Sequence, residues 1–279
     1  MSIDLHCHST VSDGALSPAE VVTLARQNGC TLLALTDHDH TGGLAEARRT
    51  AQALGVRLIN GVEISVTWRQ RTVHIVGLDF DDAEPTLQNL LARVRQGRRE
   101  RMCAMAVKLA KKGIHGAYEG ALARAANPDM VSRTHLAEFL IAEGHVRNKA
   151  QAFSKYLGDG KPASVRHEWA ALDEAVAAIR AAGGLAVIAH PIRYGFSATA
   201  KRNLFDEFAA LGGHAIEVHS GSSSANDAAN YAFLAQRHNL MASCGSDFHR
   251  MGDYGGGVLG ACPPLPAGCR PVWEAFRQP

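Results

Sequence analysis

The chain has 279 residues, 46% of them hydrophobic and 20% charged, with a formal net charge of +2. That is enough chain to bury a sizeable core as one large domain or two ordinary ones. The near-neutral balance excludes recognition of nucleic acid or a membrane by bulk electrostatics, so any basic site has to be local. The opening MSIDLHCHST lacks the cationic lead and apolar run of a secretory signal. No apolar stretch approaches the length needed to cross a bilayer. The six cysteines (Cys7, Cys30, Cys103, Cys244, Cys262, Cys269) are scattered and read as thiols of a reducing cytoplasm. The 14 histidines are the unusual number, because several of them fall inside short apolar segments.

In chain order, IDLHCHS reads as a strand. SPAEVVTLARQNG reads as a helix, with Ser17 as N-cap, Pro18 at the first helical position and Gly29 as the stop. TLLALTDHD is a second strand and GGLAEARRTAQALG a second helix; VRLINGVEISV and TVHIVGLDF follow as strands. From 87 to 162 the pattern changes to helical segments rich in Arg, Lys and Ala with no convincing strand. Beyond it LDEAVAAIRAAGG feeds the strand LAVIAHP, NLFDEFAALGG feeds AIEVHS, and NDAANYAFLAQRHN feeds MASCGSDFH. The tail is turn-rich and closes with the short helix VWEAF. Strand–helix units with near-continuous apolar strands predict a parallel sheet covered by helices, as a barrel or a doubly wound sheet. The division expected is 1–86 with 163–279 as the α/β domain, and 87–162 as a helical insertion.

Side chains alternate faces along a strand, so His6 and His8 in DLHCHS point the same way and can grip one ion. Asp13 follows in the loop. LLALT ends in Asp37-His38-Asp39, Glu63 lies near the end of LINGVEI, and His74 lies in TVHIVGL. His190 follows LAVIA, and Asp247 and His249 repeat the i, i+2 spacing in GSDFH. A lone histidine such as His74 in an apolar strand is ordinarily a hydrogen-bonded core residue. The reading changes when most strands deliver a His or carboxylate at or near the same end, where βα folds place active sites. Buried unpartnered imidazoles and carboxylates cost several kcal/mol, roughly, and are tolerated together when cations neutralise them. Cys7, between two candidate ligands, faces away and is read as packing. Asp37 and Asp39 are read as groups that orient ligands, and Asp4, deeper on the strand, as structural.

With DLHCHS, TDHD, AHP and GSDFH all present in order, the whole chain resembles the polymerase-and-histidinol-phosphatase (PHP) phosphoesterases. The resemblance implies a distorted (β/α)7 barrel with the helical insertion as a substrate-binding cap, and a cluster of two to three metal ions. It assigns His6, His8, Glu63 and Asp247 to one ion, Asp13, His38 and His249 to a second, and Glu63, His74 and His190 to a third. Mixed imidazole and carboxylate donors suit Mn2+, Zn2+ or Fe2+, with Mg2+ a further option; Mn2+ is the expectation from the family. Paired metals about 3.5–4 Å apart lower the pKa of a bridging water, which then attacks phosphorus in line. The candidate proton donors are Asp13 and His38, unless metal coordination makes a donor unnecessary.

The insertion adds Arg98 and Arg101, i, i+3 neighbours on one helix face, and Arg133, Thr134 and His135 at the start of SRTHLA. HPIRY adds Arg193. Guanidinium groups grip phosphate oxygens bidentately, so these are the candidate substrate-binding residues. Lys108, Lys111 and Lys112 are read as a solvated face. Phe153, Tyr156, Tyr194 and Phe248 offer rings for a base, with core packing as the default. The Arg-x-His helix start resembles the family branch acting on nucleoside 3′,5′-bisphosphates and on short RNA from its 5′ end. The expected partner is therefore a small phosphorylated nucleotide or short RNA, with no membrane partner. Two alternatives are a histidinol-phosphate phosphatase, which an arginine-rich second site disfavours, and a non-catalytic metal-binding module, which intact ligands disfavour. Amide hydrolysis by the same hydroxide is a further chemical option.

Overall fold

The structure is a computed structural model, described for residues 2–221, 223–252 and 256–278. It divides into two compact units, 1–91 with 170–279 and 92–169.

In the first unit, β1 (Ser2–Asp4), β2 (Cys30–Leu35) and β3 (Arg57–Trp68) pair in parallel. The helix α1 (Pro18–Gln27) joins the first two. It opens with Pro18 at its first turn and a reciprocal cap, in which the Ser17 hydroxyl accepts from the Glu20 N–H and the Glu20 carboxylate accepts from the Ser17 N–H. The helix α2 (Leu44–Leu54) precedes β3 and stops at Gly55, which takes the left-handed conformation.

The expected all-parallel order fails at β4 (Arg71–Leu78), which is antiparallel to β3. Only Arg69 and Gln70 separate the two strands, and both have positive φ, 46° and 64°. A two-residue turn of that kind makes a hairpin, because a parallel return needs a long crossover. The short β5 (Ala170–Ala171) pairs with β3. β6 (Leu185–Ile188) is antiparallel to β4, and β7 (Ala215–Ser220) and β8 (Met241–Gly245) continue in parallel.

The sheet nearly closes into a barrel. The Leu5 N–H donates to the Cys244 carbonyl at 3.0 Å, the Asp247 N–H to the His6 carbonyl at 2.8 Å and the His8 N–H to the Phe248 carbonyl at 2.9 Å. With β1, β2, β3, β4, β6, β7 and β8 in its path, this is the distorted seven-stranded barrel. Its floor is apolar, built from Leu5, Leu32, Ala34, Val76, Leu78, Val187 and Ala215 among others.

The second unit is helical. The long helix α3 (Pro85–Ala110) crosses the division between units. The first boundary, 91/92, therefore lies inside a continuous helix, and the second, 169/170, lies at the start of β5. α4 (Ala117–Leu122), α5 (Arg133–Ala142) and α6 (Lys149–Ala152), the last widening into a π-helical turn at Phe153–Leu157, follow. They pack on Met102, Met105, Leu109, Leu136, Leu140 and Leu157, with Phe153 and Tyr156 set against that core. The tail helix is a single 3-10 turn, Val272–Ala275.

Closure of the barrel depends on Gly245, where an added methyl would collide with the Cβ and backbone of His6. Gly245→Ala is expected to cost about 1–3 kcal/mol as an overpacking substitution, read as a lower midpoint in chemical denaturation.

Candidate metal centre

Six imidazoles and three carboxylates meet at the barrel mouth. Glu63, fully buried on β3, lies at their middle. Its Oε1 is 2.8 Å from both His74 Nδ1 and His190 Nε2, and its Oε2 is 2.7 Å from His38 Nδ1 and 3.4 Å from both His6 Nε2 and His8 Nε2. Asp247 Oδ1 is 3.2 Å from His8 Nε2 and 3.5 Å from His6 Nε2, and Asp13 Oδ1 is 3.3 Å from His249 Nε2. His6 and His8 lie beyond the end of β1 rather than within it. The two-residue spacing still turns both inward, with their Nε2 atoms 3.1 Å apart. His74 reaches the same mouth although it lies in the first half of β4, because that strand runs the other way.

The electrostatics follow from this crowding. Burial opposes ionisation of Glu63, yet His38, His74 and His6 hold it well below the usual carboxylate range. Asp13 and Asp247 are likewise depressed against their burial, by His38 and His249 for the first and by His6 and His8 for the second. The positive charge they require is carried by protons on the rings. Burial opposes this at both His6 and His249. Even so, His6 is pushed well above its ordinary value by Glu217, Glu63 and Asp247, and His249 is pushed up to about 9 by Asp13. His8, buried and beside His249 and His38, falls to about 3. Several buried polar atoms make no hydrogen bond, among them Glu63 Oε2, Asp13 Oδ1 and His190 Nδ1. Ring nitrogens and carboxylate oxygens crowded together at these distances form a donor set that fits divalent cations.

The side chains fall into four such groups: His8, Asp13, His38 and His249; His6, Glu63 and His190; His6, His8 and Asp247; and His38, Glu63 and His74. These cross the partition that the resemblance implies. His8 also reaches the Asp13 group, and His190 is grouped with His6 rather than with His74.

Other buried carboxylates face N–H and O–H donors instead. Asp37 accepts from the Ser9 amide and hydroxyl and from the Ser12 hydroxyl, fixing the loop that carries Asp13. Asp39 accepts from the Ser65 amide and hydroxyl. Asp4 accepts from the amides of His6, Ser246 and Gly260. Cys7 is buried with its thiol donating to the Ala34 carbonyl, a packing residue.

Two features escaped the sequence. Glu217, inside the apolar strand AIEVHS, meets His6 Nδ1 at 2.5 Å and accepts from the His190 N–H at 2.5 Å. A buried carboxylate in a strand of that kind needs a partner, and that requirement was the available signal. Arg193 pairs with Asp247 Oδ2, which puts its guanidinium at the edge of the centre. Among the rings offered for a base, Phe248 is buried. The Tyr194 hydroxyl accepts from the His74 N–H at 2.8 Å and donates to its carbonyl at 3.4 Å, so it serves to hold β4.

Within the helical unit, Arg98 and Arg101 lie over Trp169, their guanidinium carbons 4.9 and 5.6 Å from the ring centroid. Arg133 lies over Phe153 and pairs with Asp159 at 3.3 Å. Burial, followed by the charges of Arg133 and Arg98, lowers Arg101 to about 10. Thr134 is half-buried. His135 is buried, and its Nδ1 accepts from the Ser132 N–H at 3.1 Å, so that nitrogen caps α5.

The PHP domain family matches residues 4–180. The chain belongs to the PHP family. It is 50% identical over 276 residues, 99% of this chain and 96% of the relative, to a 3′,5′-nucleoside bisphosphate phosphatase of Chromobacterium violaceum. It is 41% identical over 278 residues, 99% of this chain and 94% of the relative, to the 5′-3′ exoribonuclease Rnm of Escherichia coli. A solved structure, described as an amidohydrolase from Chromobacterium violaceum with bound sulfate and no metal, superposes with a TM-score of 0.91. It shares 49% identity, covering 99% of this chain and 95% of that one. Among the described residues no helix of this PHP protein is long and apolar enough to cross a membrane.

If the donor set binds cations only when folded, Mn2+ at a hundredfold excess over its dissociation constant should stabilise chelator-stripped protein by about 2.7 kcal/mol per site. Melting curves with and without Mn2+ check this, and an unchanged midpoint would contradict it.

Proposed function

We propose that this PHP protein is a metal-dependent phosphoesterase that removes the 3′-phosphate of nucleoside 3′,5′-bisphosphates, adenosine 3′,5′-bisphosphate among them, and acts on short RNA from its 5′ end. The observation that carries the reading is the convergence of His6, His8, Asp13, His38, Glu63, His74, His190, Asp247 and His249 into overlapping donor groups. Identity of 50% and 41% to relatives with those two activities supports the choice of substrate.

Two to three ions, with Mn2+ as the resident metal, suit this mixture of nitrogen and oxygen donors. When bound, such ions supply an activated water and neutralise charge on the transferred phosphate. The chain's own residues do the remainder. Glu63 lies between the donor groups and shares its two oxygens among them. Asp37 holds the loop of Asp13. Asp13 and His38, both partly accessible to solvent (side chains 25% and 15% exposed), are the candidates to hold the proton that passes to the leaving oxygen. Arg193, bound to Asp247 and 39% exposed, is a candidate to hold the scissile phosphate.

Arg98, Arg101 and Arg133 of the helical unit are a candidate group for binding phosphate. Arg98, Arg101 and Arg133 repel one another, and a dianion placed among them relieves that repulsion. Thr134 and His135 are the further candidates for that group. Six cysteines present as free thiols fit a reducing, cytoplasmic setting.

The deciding assay is phosphate release by the Mn2+-loaded protein from adenosine 3′,5′-bisphosphate, compared with adenosine 5′-monophosphate and histidinol phosphate. Release from the bisphosphate alone is expected, and equal rates on the monophosphates would overturn the substrate assignment. His38→Ala and Asp247→Ala should lose turnover together with bound metal, read by elemental analysis. Arg133→Ala should raise KM for the bisphosphate about 10- to 100-fold, the worth of a charge-assisted hydrogen bond, with metal content unchanged. Wild-type kinetics in that variant would remove Arg133 from the site.

A further inference from the structure

We infer that Glu217 is a positioning residue for one metal-binding group of the centre, the one made by His6, Glu63 and His190, and not for the centre as a whole. The inference rests on the metal-dependent reading above. Glu217 is buried, 1% exposed, on β7. Its two oxygens go to two candidate ligands from different parts of the barrel wall. Oε1 is 2.5 Å from His6 Nδ1, and Oε2 accepts the His190 N–H at 2.5 Å. His6 and His190 occur together in only one of the four donor groups.

Each contact has a separate effect. At His6, a carboxylate on Nδ1 demands a hydrogen on that nitrogen, so the lone pair of a neutral ring is on Nε2. Nε2 is the atom facing Glu63 Oε2 at 3.4 Å and His8 Nε2 at 3.1 Å. Carboxylates behind ligand histidines fix tautomer and ring orientation in this way. At His190 the backbone has φ 27° and ψ 56°, a conformation that non-glycine residues rarely take, and Pro191 follows it. The bond from its N–H to Glu217 offsets strain at the residue whose Nε2 reaches Glu63 Oε1 at 2.8 Å. By contrast, in the group of His8, Asp13, His38 and His249 the loop that carries Asp13 is held by Asp37.

Glu217→Gln tests this at nearly constant volume. An amide keeps one oxygen for the His190 N–H, but its NH2 group then faces His6 Nδ1. That drives the ring toward the tautomer with hydrogen on Nε2, which cannot ligate. In equilibrium Mn2+ titrations, with elemental analysis of dialysed protein, the variant should weaken the sites that use His6 about 10- to 100-fold and leave the group of His8, Asp13, His38 and His249 as in wild type. Circular dichroism should show a folded, cooperatively melting chain after chelation. Glu217→Asp keeps the charge but shortens the reach, and should fall between the two. Two results would overturn the inference: unchanged affinity of every class in Glu217→Gln, or equal loss of all classes in both variants. Absence of Mn2+ binding by wild type would instead defeat the metal reading itself.

Discussion

Six imidazoles and three carboxylates turn nitrogens and oxygens toward one another in a space largely closed to water, and only positive charge among them makes that arrangement tolerable. The carboxylates favour protons on the rings, unevenly. His6 and His249 are driven to hold theirs, while His8, enclosed by other rings, is driven to release its own at about 3. Protons are imperfect counterions here, because each occupies one ring nitrogen and repels the next. A divalent cation lies between several donors at once. Glu63, with five ring nitrogens within 3.4 Å of its two oxygens, is where the need is greatest.

The barrel is arranged around that requirement. Its buried carboxylates form two classes by partner. Asp4, Asp37 and Asp39 accept from amides and hydroxyls and hold loops. Asp13, Glu63 and Asp247 face imidazoles. The first class is satisfied within the chain and the second is not, as the unbonded Glu63 Oε2 and Asp13 Oδ1 record. Closure serves the same end. The backbone bond from Asp247 to the His6 carbonyl joins the last strand's loop to the first strand's extension, so the two i, i+2 motifs become neighbours despite lying at opposite ends of the chain.

This division explains what the sequence made legible. The spacing in DLHCHS and GSDFH carries its own geometry, because alternation puts both side chains of each pair on one face whether the segment is a strand or its extension. The capped helix that opens at Ser17 and Pro18 is a local effect and was readable for that reason. The direction of β4 was less accessible, since it turns on two residues, Arg69 and Gln70, that are not the usual formers of a positive-φ turn. Glu217 was hidden for a different reason. One carboxylate in an apolar strand has no pattern, and its partners His6 and His190 are 211 and 27 residues away in the chain. Arg193 was noticed for its chemistry, but its pairing with Asp247 depends on a turn brought across the barrel by folding. The boundary of the helical unit lay inside a continuous helix and left no compositional mark.

A net charge of +2 conceals two opposite local fields, one of carboxylates in the barrel and one of guanidiniums in the helical unit. On the proposed reading the substrate carries two phosphates. The phosphate to be cleaved must approach Asp13, Glu63 and Asp247, which repel it unless cations intervene, so its binding and its chemistry depend on the same ions. A second phosphate held by arginines needs no metal, because guanidinium stays charged and stacks on aromatic faces as Arg98 and Arg101 do on Trp169. On the proposed reading, metal dependence and preference for a doubly phosphorylated nucleotide are therefore separable properties, set by different residues. Selectivity among phosphate esters can then change through the helical unit while the barrel keeps its chemistry.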